Sequence, residues 1–209
     1  MSLLTPAFVA AFCLFAFVAS ITPGPNNAML MASGANFGVR RTVPHLLGVI
    51  LGFVVLLLAA GLGLGALFAA WPPLHRVLQA AGAAYLLYLA YRIATADGIG
   101  GGGRAAARPL SFLQAALFQW VNPTAWAIAL GAVATYAPRK DFAAGVVVIA
   151  LLIGVVNAPC ALAWAAAGAA LRRLLDRPAV LRAFNWTMAA LLVASFYPAL
   201  AELARGLRL

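Results

Sequence analysis

Between Pro44 and Ala70 the chain carries one ionisable side chain, His45, and is otherwise apolar residues and glycine after the proline itself. About 20 apolar residues in a helix cross the roughly 30 Å of bilayer hydrocarbon. Inside lipid there is no water for the backbone. Each N–H and C=O must therefore be bonded within a helix or within a closed barrel. The run is continuous and lacks the in-out alternation of a barrel strand, and its flanking connections are short, so helix is selected.

Five further stretches meet the same criterion: Leu3 to Ile21 continued by Asn26 to Val39, Val77 to Ala94, Leu110 to Tyr136, Phe142 to Leu171 and Phe184 to Leu203. The expected fold is an all-α membrane protein, one compact membrane domain over residues 1–209 with six transmembrane helices. Water is excluded as the main solvent, because 66% of residues are hydrophobic and 9% charged, against about half and a quarter in soluble domains. The N-terminal run has no basic segment ahead of it and reads as a first span rather than a cleaved signal peptide.

The net charge of +10 would suggest nucleic acid in a soluble chain. Here the basic residues sit between apolar runs, where they meet anionic headgroups, so nucleic acid is not an expected partner. Nine of them fall in the first, third and fifth connections and five on the other side. The positive-inside tendency places those three connections in the cytoplasm and both termini outside. Cys13 and Cys160 lie within apolar runs, without short-spaced ligands, and read as small membrane hydrophobes. The stretch ADGIGGGGRAAARP is a flexible connector; it lacks the lysine and strand context of a phosphate loop.

Two of the runs are broken. In the first, Pro23-Gly24-Pro25-Asn26-Asn27 interrupts the span; in the fourth, Asn122-Pro123 does. As one straight helix, residues 3–39 would be about 55 Å long at 1.5 Å per residue, too long for a bilayer. A basic pair follows each break, Arg40-Arg41 and Arg139-Lys140, and then one long apolar run. Residues 1–94 and 110–209, joined by the connector at 95–109, thus read as two three-helix repeats with interrupted first helices. An odd number of spans forces the copies into opposite orientations, and interrupted helices at matching positions mark transporter sites.

A helix start explains the chemistry. Its first amides have no internal partner, and the peptide dipoles add about half a positive charge. Asn122 suits the cap position and Pro123 the first helical position; Pro25 can open its helix likewise. Amides freed in this way can hold an anion such as an amino-acid carboxylate. The expected substrate-binding residues are Pro23, Gly24, Pro25, Asn26, Asn27, Gln119, Asn122, Pro123 and Asn157. A lone proline kink would be structural; the matched pair of breaks argues for a ligand. Asn157 serves equally well as cavity lining or as interhelical glue, and Gln79, Gln114 and Gln119 share that ambiguity. His45, at a helix end beside headgroups, reads as structural, with pH sensing as the alternative.

Asp97, Asp141, Asp176 and Glu202 all lie in connectors or near a helix end. No intramembrane acid is available for a cationic substrate, so a neutral or zwitterionic solute is expected. Gly34 with Gly38, and Gly48 with Gly52, suggest close helix packing. No catalytic constellation, metal cluster or cofactor motif is present in the sequence, and the chain is not expected to be an enzyme.

The stretches ITPGPNNAMLMASGANFGVRRTVPHLLGVILGF, AGAAYLLYLAYRIATA and SFLQAALFQWVNPTAWAIALGAVATY resemble, in turn, the first signature, the third span and the fourth span of the LysE/RhtB family of amino-acid exporters. The resemblance covers almost the whole chain. Within the family, TPGPNN and the serine-phenylalanine start of the fourth span resemble the branch that exports cysteine and O-acetylserine. The resemblance implies a multi-pass bacterial inner-membrane exporter of small amino acids, driven by the proton gradient, with Thr22 to Pro25, Asn26, Gly38, Arg40, Asn122 and Pro123 on family motifs. Thr124 stands where the family often has lysine, and Asn157 where many members have aspartate. Both departures remove charge. A passive channel for small solutes and a non-transporting assembly factor remain the alternatives, and homo-oligomerisation is left open.

Overall fold

The computed structural model describes residues 5–64, 70–95, 108–174, 177–195 and 197. Among them are eight α-helices and no strand: α1 Pro6–Ile21, α2 Pro25–Phe37, α3 Val39–Ala59, α4 Pro72–Ala94, α5 Phe112–Val121, α6 Pro123–Tyr136, α7 Phe142–Leu171 and α8 Pro178–Ser195. A π-helical turn, Ala60–Leu64, extends α3, and a 3-10 turn, Arg172–Leu174, follows α7. By length and composition Val39–Gly63 and Phe142–Leu171 can each cross a bilayer, and α1 with α2 forms a third candidate bent by 58°. The core of the glycine-rich connector, Asp97, Asp176, Glu202, the end of the last apolar run and the Gln79 side chain lie outside the described residues.

Local chemistry sets most helix starts. Thr5 Oγ1 accepts from the Phe8 amide at 3.3 Å and Pro6 opens α1. Ser111 and Gln114 form a reciprocal capping box on α5, so Gln114 is a cap rather than a ligand or interhelical group. Pro72 and Pro73 occupy the first positions of α4, where a missing N–H costs nothing, so this helix starts ahead of the expected Val77. α8 likewise begins at Pro178, ahead of the expected Phe184.

The first connection differs most from expectation. One residue, Gly38, ends α2 and begins α3, at φ +77°, which glycine adopts freely. Arg40 and Arg41 therefore lie in the first turn of α3 rather than in a loop, and Pro44 lies inside the helix rather than at its start. The Arg41 guanidinium sits 5.8 Å from the centre of the Phe37 ring.

α7 packs against α1, α2 and α3; α3 packs against α5 and α6; α4 packs against α8. One buried cluster joins α1, α3, α6 and α7 through Phe12, Phe53, Trp126 and Ile149. Another joins α2, α3, α4, α5 and α8 through Met29, Val49, Leu86, Phe118 and Leu192. Large apolar side chains such as Leu14, Val55, Leu151 and Val155 point outward, as lipid requires. Buried polar groups cross between helices: Asn36 Nδ2 donates to Asn185 Oδ1 at 3.0 Å, and the hydroxyls of Ser33 and Thr42 lie 3.0 Å apart.

Candidate functional site: a cavity between two helix breaks

At the first break α1 ends with Thr22, whose amide and hydroxyl both donate to the Val18 carbonyl, at 3.1 and 2.6 Å. Asn27 then reaches back from α2. Its Nδ2 donates to the carbonyls of Ser20 and Thr22, both at 2.8 Å. It satisfies acceptors that the end of α1 leaves open and so fixes α2 against α1. Gly24 caps α2 without a side chain, Pro25 has no N–H, and the first helical bond runs from Ala28 N to Gly24 O at 2.9 Å. The amides of Asn26 and Asn27 thus begin a helix with no carbonyl behind them.

The second break spans a single residue. Asn122 Oδ1 accepts from the Thr124 amide at 3.1 Å, Pro123 takes the first helical position, and Trp126 N bonds the Asn122 carbonyl at 3.2 Å. Trp126 Nε1 also donates to the Trp120 carbonyl at 2.8 Å, tying α6 to the end of α5. The sequence suggested free amides at both breaks. Here Asn122 occupies one of them, so α6 offers the Ala125 amide where α2 offers two. Replacing Asn122 with alanine removes this cap. The expected loss is about 1 kcal/mol of stability, read as a lower melting temperature of the detergent-solubilised protein, whereas Asn122→Ser keeps most of it.

Gln119 joins the breaks. Asn26 Nδ2 donates to Gln119 Oε1 at 2.8 Å, and Gln119 Nε2 donates back to Asn26 Oδ1 at 3.0 Å and to the Ala115 carbonyl at 2.9 Å. Above this amide pair lies a cavity of about 210 Å³. Seven of the expected residues line it: Pro23, Gly24, Pro25, Asn26, Asn27, Asn122 and Asn157. Gln119 and Pro123 do not; the first is fully buried beneath Asn26, and the second is simply the start of α6. Among the described residues the Asn157 side-chain amide has no hydrogen-bond partner, and no charged side chain lines the wall.

The sequence alone does not single out the apolar wall formed by Val49, Phe53, Ile128 and Ile153. An apolar residue in an apolar span carries no mark of facing a cavity. Ser20 and Thr124 also line it; proximity to the two breaks was the available signal. Among the described residues no group of His, Cys, Asp and Glu could hold a metal ion, and both cysteines are free thiols.

An all-helical chain with helices suited to lipid, folded around a small uncharged polar cavity, has the build of a membrane transport protein. The chain belongs to the LysE family: the model described as LysE type translocator matches residues 17–196. Membership makes it a membrane transporter and not an enzyme. The Cysteine/O-acetylserine efflux proteins of Escherichia coli (strain K12), Escherichia coli O9:H4 (strain HS) and Shigella sonnei (strain Ss046) are each 32% identical to it over 196 residues, covering 91% of this chain and 96% of theirs. No solved structure matches.

Proposed function

We propose that the protein exports a small zwitterionic amino acid, of the cysteine or O-acetylserine kind, across the bacterial inner membrane by alternating access driven by the proton gradient. The observation that carries this reading is the cavity where two broken helices meet. At one wall the unpaired Asn26 and Asn27 amides start α2 and present its positive dipole end to a carboxylate. At the same break α1 ends, and its negative end suits an ammonium group. A zwitterion needs both poles close together. The volume of about 210 Å³ is that of roughly seven waters and falls below the range of drug-sized sites, which favours a small solute. The wall's lack of charge disfavours substrates with a net charge.

Two packing relations support a rocking motion of two repeats. The long α7 of the second half packs on the broken pair α1–α2 of the first, and the long α3 packs on α5 and α6. Counting each broken pair once, the helices make six spans, with residues 1–94 and 110–209 as the inverted repeats. Each repeat would hold the other's interrupted helix, so a tilt of one against the other opens the cavity on alternate sides.

The test uses cells that overexpress the protein and are preloaded with labelled cysteine or O-acetylserine. Wild type should speed efflux, and an uncoupler should abolish the excess. Asn157→Ala removes an unpartnered amide from the wall and should lower efflux about tenfold at limiting substrate, since a hydrogen bond to a charged group is worth about 1.5–3 kcal/mol. No excess efflux, or an Asn157→Ala rate equal to wild type, sinks the proposal. Efflux that survives the uncoupler points to a channel, and inactive proteoliposomes of pure protein point to an assembly factor.

A further inference from the structure

We propose that His45 carries the coupling proton of the transport cycle, holding it while the cavity is empty and releasing it when the amino acid is bound. This rests on the exporter reading above and names the group that links its two fluxes.

Three observations converge on His45. First, it is 1% exposed, and among the described residues neither ring nitrogen has a hydrogen-bond partner. The sequence suggested a histidine at a helix end beside headgroups; the helix instead starts at Val39 and encloses it. Buried polar side chains are nearly always bonded, so a ring left with both nitrogens open is a place where a proton or a transient partner can be received. Second, position on α3 relates it to the cavity. Thr42, His45, Val49 and Phe53 follow one another at three- and four-residue steps on one face, and Val49 and Phe53 line the cavity. His45 is one turn from the wall. Third, a buried hydroxyl pair continues from it away from the cavity. Thr42 Oγ1 lies 3.0 Å from Ser33 Oγ and donates to the Gly38 carbonyl at 2.9 Å. Gly38 is the turn that leads to the exposed Arg40 and Arg41. His45 and the hydroxyl pair thus share the buried face of α3 between the cavity wall and the end of α2, with no hydrogen bond joining them.

Among the described helices packed against α3 there is no competing carrier. α2 and α5 hold no ionisable side chain, α6 offers only Tyr136, and α7 only Cys160. On α3 itself Arg40 and Arg41 are exposed, the latter placed over Phe37. Histidine alone among these ordinarily changes charge near neutral pH. A charge on His45, one turn behind the wall, would face a cavity without charged lining while the site is empty. A zwitterion's ammonium entering the cavity would repel that cation one turn away and drive the proton off. One proton then returns inward for each amino acid sent outward, with no bond other than N–H made or broken.

Purified protein in sealed vesicles tests this with labelled cysteine under reducing conditions. Two readouts are taken: counterflow, in which unlabelled cysteine exchanges for label without a pH gradient, and accumulation driven by an imposed pH gradient. A dye reports internal pH. Wild type should show both activities, with proton movement accompanying net cysteine flux. His45→Gln and His45→Phe should keep counterflow at a rate comparable to wild type, while accumulation falls to that of protein-free vesicles. Accumulation that persists in either variant overturns the proposal. So does net cysteine flux in wild type without proton movement, or loss of counterflow in both variants together with accumulation, which would make His45 a packing residue. Absence of counterflow in wild type strikes the exporter reading itself, a distinct result.

Discussion

Replacing Gly168 with valine is expected to leave no folded protein. A Cβ atom at Gly168 would stand 2.0 Å from the Met31 carbonyl oxygen and 3.0 Å from the Ala35 amide nitrogen, and one at Gly34 would stand 2.0 Å from the Ala165 carbonyl oxygen. These contacts face one another where α2 crosses α7. The obstacles are backbone atoms, so no rotamer change relieves them. Lipid tails are as apolar as the side chains, and helices in a bilayer are held chiefly by close van der Waals contact and a few hydrogen bonds. Forcing α2 from α7 loses that contact along the whole crossing, and it moves the start of α2 that walls the cavity. Overpacking commonly costs about 1–3 kcal/mol when side chains can yield; this site should lie at or beyond the upper end. Gly168→Ala should melt well below wild type, and Gly168→Val should give no monodisperse peak on size exclusion. Gly131, in the middle of α6, supplies the control: nothing lies within 4 Å of a Cβ built there. Gly131→Ala should melt at or above the wild-type temperature, gaining up to about 1 kcal/mol of helix propensity. A Gly168→Val protein with an unchanged melting temperature would refute the close-contact account.

What could be read from the sequence was what is decided locally. Pro23-Gly24-Pro25 and Asn122-Pro123 break and restart helices by their own covalent chemistry, and the structure places α2 and α6 at those starts. α7 runs from Phe142 to Leu171, the bounds of the apolar run itself, because no charged residue intervenes and neither Asn157 nor Pro159 ends the helix. Other features depend on a partner distant in the chain. Gln119 looked like either lining or glue because its partner, Asn26, is 93 residues away. The start of α3 was misplaced because a one-residue reversal at Gly38 depends on a φ value, which composition does not display. His45 looked peripheral for the same reason: once the helix begins at Val39, that position turns inward. The apolar half of the cavity wall stayed invisible, since Phe53 or Ile153 facing a ligand is spelled like any lipid-facing residue.

Gln119→Leu should yield a protein that folds but transports at least about tenfold more slowly. Leucine has a similar volume and fits an apolar surround, so packing is largely kept. Three hydrogen bonds are lost, two to Asn26 and one to the Ala115 carbonyl. The stability cost should be small, about 0.6 kcal/mol on average for an interhelical hydrogen bond in a membrane protein, because Asn26 borders the cavity and water can replace its partner. The transport cost should be larger. The reciprocal amide pair is the direct link between α2 and α5, the helices that meet at the two breaks, and it fixes where the Asn26 and Asn27 amides point relative to Asn122. A site that must meet both poles of a zwitterion tolerates little displacement, since a shift of about 1 Å can cost on the order of a hundredfold in positioned chemistry. Melting temperature and vesicle counterflow, measured on the same preparations, separate the two effects. A double-mutant cycle with Asn26→Ala assigns them to the pair: removing the second partner should add little once the first is gone, with a coupling of about 0.5–3 kcal/mol. Gln119→Glu should fall between, because a carboxylate still accepts from Asn26 Nδ2 but cannot donate to Asn26 Oδ1 or to Ala115. If Gln119→Leu exchanges cysteine at the wild-type rate, the two breaks do not need each other, and the cavity between them is not one site.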